Sequence, residues 1–199
     1  MLQHQDGRPR SGRRALLRGA AWVTPVAMSS VAAPAVAASS STVSGSTNIS
    51  SNCSTSGTSA TQTLGLSETA AYPTFGFWMD SVPSGSTPTN ARFTIYFSTS
   101  FGTLTWTRTS AGASTWSLPT VDATAPAISG YTAYTTTYSG AWTYDSQRRR
   151  YRVNGVIGFQ AVRRSTSCID PVTIHSLRRV TWNGQAYSVR RGPSNLVTS

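Results

Sequence analysis

Apolar and polar residues alternate along much of this chain with a period of two. Phe93, Ile95 and Phe97 interleave with Arg92, Thr94 and Tyr96. Leu104, Trp106 and Arg108 interleave with Thr103, Thr105, Thr107 and Thr109. Tyr134, Thr136 and Tyr138 share one face, and Trp142 and Tyr144 share another. Successive side chains of a strand point to opposite faces, so this spacing predicts half-buried β-strands. Clusters of Ser, Pro, Gly and Ala at 81–90, 110–114 and 124–130 punctuate the runs as turns and loops. After residue 60 no stretch carries a 3.6-residue period together with helix formers.

Two Asn-Gly pairs give different readings. A two-residue turn at Asn183-Gly184 sets Trp182 against Gln185 and Val180 against Tyr187. Val180, Trp182, Tyr187 and Val189 then share a face, as a type I′ hairpin requires. The same turn at Asn154-Gly155 would place Ile157 and Phe159 beside Arg150 and Arg152, mixing core and solvent sides. One continuous strand puts Tyr151, Val153, Gly155, Ile157, Phe159 and Ala161 on a single face. The expectation is therefore a long strand with Gly155 at a bulge, preceded by a turn near Asp145-Ser146-Gln147.

Many short strands at even spacing predict an all-β fold, an antiparallel β-sandwich. An immunoglobulin-like sandwich is the first expectation and a jelly roll the second. Cys53 lies ahead of the clear strands, so the Cys…Trp…Cys spacing of antibody domains does not fit well. The sandwich is assigned to residues 63–199. Residues 38–62 are dominated by Ser, Thr and Gly and read as a flexible arm, because they bury too little apolar surface to offset ordering entropy.

The N-terminal region differs. Arg13 and Arg14 are followed by Ala15, Leu16, Leu17 and Arg18, and a soft apolar segment runs from Gly19 to Ala33. It ends in Ala35-Val36-Ala37, small residues at alternate positions suited to the shallow pockets of signal peptidase. Residues 1–37 thus read as a removable signal, with cleavage after Ala37 or, as a near alternative, after Ala38. A spanning helix needs about 20 mainly apolar residues, and this run is shorter and contains Pro25 and several hydroxyls. The Arg13-Arg14-x-Leu16-Leu17 core resembles the twin-arginine (Tat) export signal. The resemblance implies export of a folded protein, with the export machinery as partner, and the use of Arg without Lys together with abundant Ala points to a high-GC Gram-positive bacterium. Gly12 stands where Ser or Thr is usual, which leaves the Sec route as the alternative.

Subtracting the signal changes the charge picture. All 17 basic residues are Arg. The mature part keeps 12 of them against five acids, a net charge of about +7. Ten of the 12 lie between Arg148 and Arg191. Two cysteines remain, Cys53 and Cys168. In an exported protein that count predicts one disulfide, which would pin the Ser/Thr-rich arm to the domain near Cys168 and allow part of it to add an edge strand. No lipobox cysteine follows the signal and no apolar tail ends the chain, so the expected mature form has no stable membrane span and is secreted or wall-associated.

Candidate chemistry is sparse. The acids Glu68, Asp80, Asp122, Asp145 and Asp170 make ten possible pairs, and the sequence selects none for sugar hydrolysis. His175 lies opposite Val172 and Ile174, which predicts a surface or edge histidine. No G-x-S-x-G elbow accompanies it. No P-loop, dinucleotide fingerprint, EF-hand or zinc spacing appears, so neither metal nor cofactor is expected. Tyr131, Tyr134, Tyr138, Trp142 and Tyr144, interleaved with hydroxyls, could stack on sugars or simply form core. The arginines stand out most: Arg148, Arg149, Arg150 and Arg152, then Arg163-Arg164, Arg178-Arg179 and Arg190-Arg191. Adjacent strand residues point to opposite faces, so each pair sends one side chain each way unless it sits at a strand end. Strand ends or edges are the expected homes, where charge also blocks sheet-to-sheet aggregation. The functional expectation is an anion-binding surface for wall polymers or lipid headgroups. No nucleic-acid-binding signature is present, so nucleic acid is not an expected partner. The leading expectation is a non-catalytic exported domain with a binding or structural role. The alternative is a secreted hydrolase of wall glycan or protein.

Overall fold

The computed structural model describes residues 41–68, 74–109 and 114–196. Arg13, Arg14, Leu16, Leu17, Ala35 and Ala37 lie outside the described residues. Within those described, the fold is all-β: three antiparallel sheets packed as a sandwich. The first sheet runs in the order β1 (Thr42–Ser46), β4 (Gly76–Asp80), β10 (Arg150–Val153), β9 (Trp142–Asp145). The second runs β2 (Asn48–Ser56), β3 (Ser59–Ser67), β11 (Gly158–Ser165), β6 (Trp106–Arg108). The third runs β13 (Gln185–Leu196), β12 (Val172–Trp182), β5 (Thr89–Ser98), β8 (Tyr131–Thr137), β7 (Thr120–Val121).

Alternation explains the core. Phe93, Ile95 and Phe97 of β5 point inward and join Phe77 and Met79 of β4, Leu64 and Leu66 of β3, and Phe159 of β11 in one cluster fed by all three sheets. Burying each such side chain contributes about 1.5–3 kcal/mol. Phe97 also meets Phe101, Trp106 and Tyr134 with ring centroids 5.8, 5.9 and 6.5 Å apart. The outer face of the third sheet carries a smaller cluster. Tyr96 and Leu177 are buried there with Ala125, and the Tyr96 hydroxyl donates to Pro126 O at 3.0 Å.

The Asn183-Gly184 hairpin forms in the expected register, with Trp182 opposite Gln185 and Val180 opposite Tyr187. Both turn residues have positive φ, 48° and 76°, as type I′ geometry demands. The turn before β10 also lies where expected, with Arg150 opposite Asp145.

The long strand over 150–161 does not form. Its inward positions Tyr151, Val153, Ile157, Phe159 and Ala161 are all buried, as the alternation predicts. The chain nevertheless leaves strand geometry after Val153 and crosses from the first sheet to the second before β11 begins. Gly155 makes the crossing possible. A Cβ there would collide with Thr115 Oγ1 and lie 3.1 Å from the Tyr138 ring. A period of two reports which side faces the core, not which sheet supplies the hydrogen bonds.

The segment read as a flexible arm is strand over Thr42–Ser46 and Asn48–Ser56, and β1 and β2 form edges of the first two sheets, more than the partial edge strand that pinning by the disulfide allowed. Nine register pairs join β2 to β3, from Asn48–Ser67 to Ser56–Ser59. Backbone hydrogen bonding, which ignores side-chain polarity, holds this Ser/Thr-rich sequence in place. Cys53 of β2 is disulfide-bonded to Cys168, with Cα atoms 6.1 Å apart. Buried Gln62 fastens the same junction. Its Nε2 donates to Ile169 O at 2.8 Å and its Oε1 accepts from Ile169 N at 3.1 Å.

Candidate anion-binding site

β12 and β13 sort the arginines by face. On β12, Val172, Ile174, Ser176, Arg178 and Val180 alternate inward and are all buried. Arg178 is only 3% exposed. Its guanidinium carbon lies 4.8 Å from the centre of the Phe93 ring, and its Nη2 donates to Thr47 Oγ1 at 3.2 Å. Its Nε is buried without an acceptor. Gly45 of β1, at φ 144°, leaves room for this guanidinium. A Cβ there would lie 3.0 Å from Nε and collide with Gly76 O.

Cross-strand register brings in the second cation. Arg191 stands opposite Ser176 and Arg190 opposite Leu177, so Arg191 shares the side of Arg178. Arg178 and Arg191 line one cavity of about 250 Å³, with hydroxyls from Ser46, Thr47, Ser176 and Ser194. Ile49, Ile174 and Leu196 complete its wall, and none of the lining residues is acidic.

Glu68, just past β3, is the acid whose charge acts on Arg178. Its Oε2 accepts from Ile157 N at 3.0 Å. Burial pushes its carboxyl up from the usual 4.5 to about 7, opposed by that Ile157 bond, by the Arg178 charge and by a bond with Thr47. Arg178 is pulled down to about 10 by burial and by Arg191, with Glu68 opposing. It therefore stays charged at neutral pH, while the Glu68 carboxyl keeps its proton to higher pH than an exposed glutamate does.

The outer face of the same hairpin differs in charge balance. Arg179 Nη2 donates to Asp122 Oδ2 at 3.0 Å and to Thr94 Oγ1 at 3.2 Å. Burial of the Asp122 carboxyl raises its pKa, but bonds from Thr124, Thr135 and Arg179 outweigh this and hold it well below the usual carboxylate range. Arg92 stands opposite Arg179 in register, and Arg190 lies 5.9 Å over the Tyr96 ring. Arg92 and Arg190 are exposed. Asn90, Arg92, Arg179 and Ser188 border a hollow of about 370 Å³.

The remaining arginines disperse. Arg148 pairs with Asp145 at 3.2 Å. Arg149 sits exposed in the turn at φ 50°. Arg150 pairs with Asp80 at 2.8 Å and lies 5.2 Å over Trp78, which Arg152 faces in register. Arg163 donates to Ser165 and Ser167 and lies 5.8 Å over Phe101, while Arg164 is exposed. The expectation of strand ends or edges fits Arg190 and Arg191 on edge strand β13, but not Arg178 and Arg179. Those two occupy the middle of β12, an interior strand. Alternation, rather than edge protection, placed them.

His175 is likewise on the interior strand, half-buried, with its ring edge-on to Tyr131 at 4.9 Å. Tyr134 and Tyr138 are core, and Trp142 and Tyr144 pack against it, so these aromatics do not form an exposed sugar-stacking strip. Among the described residues, no group of three or more His, Cys, Asp or Glu side chains gathers as a metal site would.

Thr47 and Gly45 went unmarked in the sequence, and Glu68 figured there only as one of five acids. One signal was available for Glu68: it continues the inward series Leu64, Leu66 at the same spacing. Compared with protein-family models and with curated proteins, the chain matches none.

Proposed function

We propose that this chain is an exported, non-catalytic β-sandwich domain that binds anionic polymers or headgroups at the cell exterior through arginines. The observation that carries the reading is the outer face of the third sheet. Arg92, Arg179 and Arg190 stand there on the neighbouring strands β5, β12 and β13, with Asp122 paired to Arg179. Guanidinium groups bind phosphate and carboxylate in fork geometry, and rows of them raise the local concentration of anions. Export is supported by the signal-like residues 1–37 and by the disulfide, a bond that persists in oxidising compartments. No helix among the described residues is long and apolar enough to cross a membrane.

Retention of the full chain on purified anionic wall polymer, read at rising salt, tests this. Retention is expected to weaken steeply as the screening length falls from about 10 Å at 0.1 M salt to about 3 Å at 1 M. The double variant Arg92→Ser, Arg190→Ser should elute at lower salt than the parent. Equal elution of the two would remove this face as the contact.

A further inference from the structure

We infer that the inner cavity between Arg178 and Arg191 is a discrete oxyanion pocket for one phosphate-type group. It stands independently of the outer face, because the arginine pairs of β12 and β13 point to opposite sides.

Three observations lead there. First, a buried guanidinium is ordinarily matched by a carboxylate, since an uncompensated buried charge is costly. Arg178 instead meets the neutral hydroxyl of Thr47 and leaves Nε without an acceptor. The Glu68 charge acts on Arg178, while Glu68 Oε1 is itself buried without a hydrogen-bond partner. Second, Arg191 brings another positive charge to the same cavity, where no acid lines the wall. Two cations held together in this way repel each other, and a bound anion relieves that repulsion. Third, hydroxyl-bearing residues of separate strands border it: Ser46 of β1, Ser176 of β12 and Ser194 of β13. Hydroxyl residues on several sides suit a tetrahedral group with three or four oxygens better than a planar carboxylate. The volume of about 250 Å³ sits below the usual range for larger ligands, so the site takes one headgroup rather than a length of polymer. Ile49, Ile174 and Leu196 supply an apolar wall that would accept the carbon side of a phosphate ester.

The test is an NMR titration of the isotope-labelled full chain with inorganic phosphate, at ionic strength held constant with chloride. The Arg178 Nε–H resonance should shift saturably. Arg191→Ser removes an exposed side chain and so leaves the core intact; it should weaken binding about tenfold or more. Ser176→Val, which narrows the cavity, should weaken it further. Arg92→Ser with Arg190→Ser should leave it unchanged, which separates this pocket from the outer face. Glycerol phosphate in a parallel titration identifies the source: tighter binding than inorganic phosphate indicates an ester-bearing polymer or headgroup, weaker binding the free anion, and either supports the pocket. An unmoved Arg178 resonance overturns it. So does an equal response to acetate, or unaltered affinity in Arg191→Ser.

Discussion

The carboxyl of Glu68 releases its proton near pH 7 in the folded protein and near 4.5 once unfolded. Between those values the folded state holds a proton that the unfolded state has lost, so stability from this group is complete below about 4.5 and is lost as pH rises through 7. Glu68→Gln removes the titration while keeping an acceptor for Ile157 N–H. Melting temperatures at pH 5 and pH 8 should therefore differ less in the variant than in the parent, and an unchanged difference would place the pH dependence elsewhere. The inward direction of both Glu68 and Arg178 was legible in the period-two runs Leu64–Leu66–Glu68 and Val172–Ile174–Ser176–Arg178–Val180. Their surroundings were not. Arg178 bonds to Thr47, 131 residues away, and only the folded topology brings those two together.

At the scale of elements, legibility followed how local the governing interaction was. The β12–β13 hairpin is set by two turn residues and by the alternation beside them, and its register was readable in advance. The break between β10 and β11 depends on Thr115 and Tyr138, which occupy the space beside Gly155. Nothing adjacent in sequence signals them. Gly155→Ala should accordingly destabilise the fold by about 1–3 kcal/mol through overpacking. Urea unfolding checks it: a lower midpoint at an unchanged slope is expected, and a parental midpoint would mean that the crossing tolerates a methyl group. The Ser/Thr-rich strands β1 and β2 eluded composition for another reason. Edge strands are held by ladder hydrogen bonds on one side, and composition does not report those.

For the molecule as a whole, the sandwich class and the cysteine pair could be read from the sequence. The strand order could not, because it joins segments as distant as β1 and β10 around β4. The bridge between Cys53 and Cys168 spans 115 residues. A loop of that length gives up to about 4–5 kcal/mol by restricting the unfolded chain. Denaturant unfolding of the full chain with and without a thiol-free reductant should show a loss approaching that size, whereas coincident curves would assign the bridge no stabilising role. The same covalent link has a mechanical consequence. A pull between positions before Cys53 and after Cys168 passes through the sulfurs and bypasses every strand from β3 to β11. At about 3.4 Å per residue, roughly 390 Å of contour length is withheld from stretching. Under tension the flanking strands part from their neighbours β4 and β5, while the looped strands themselves cannot be drawn out until the bridge is cut.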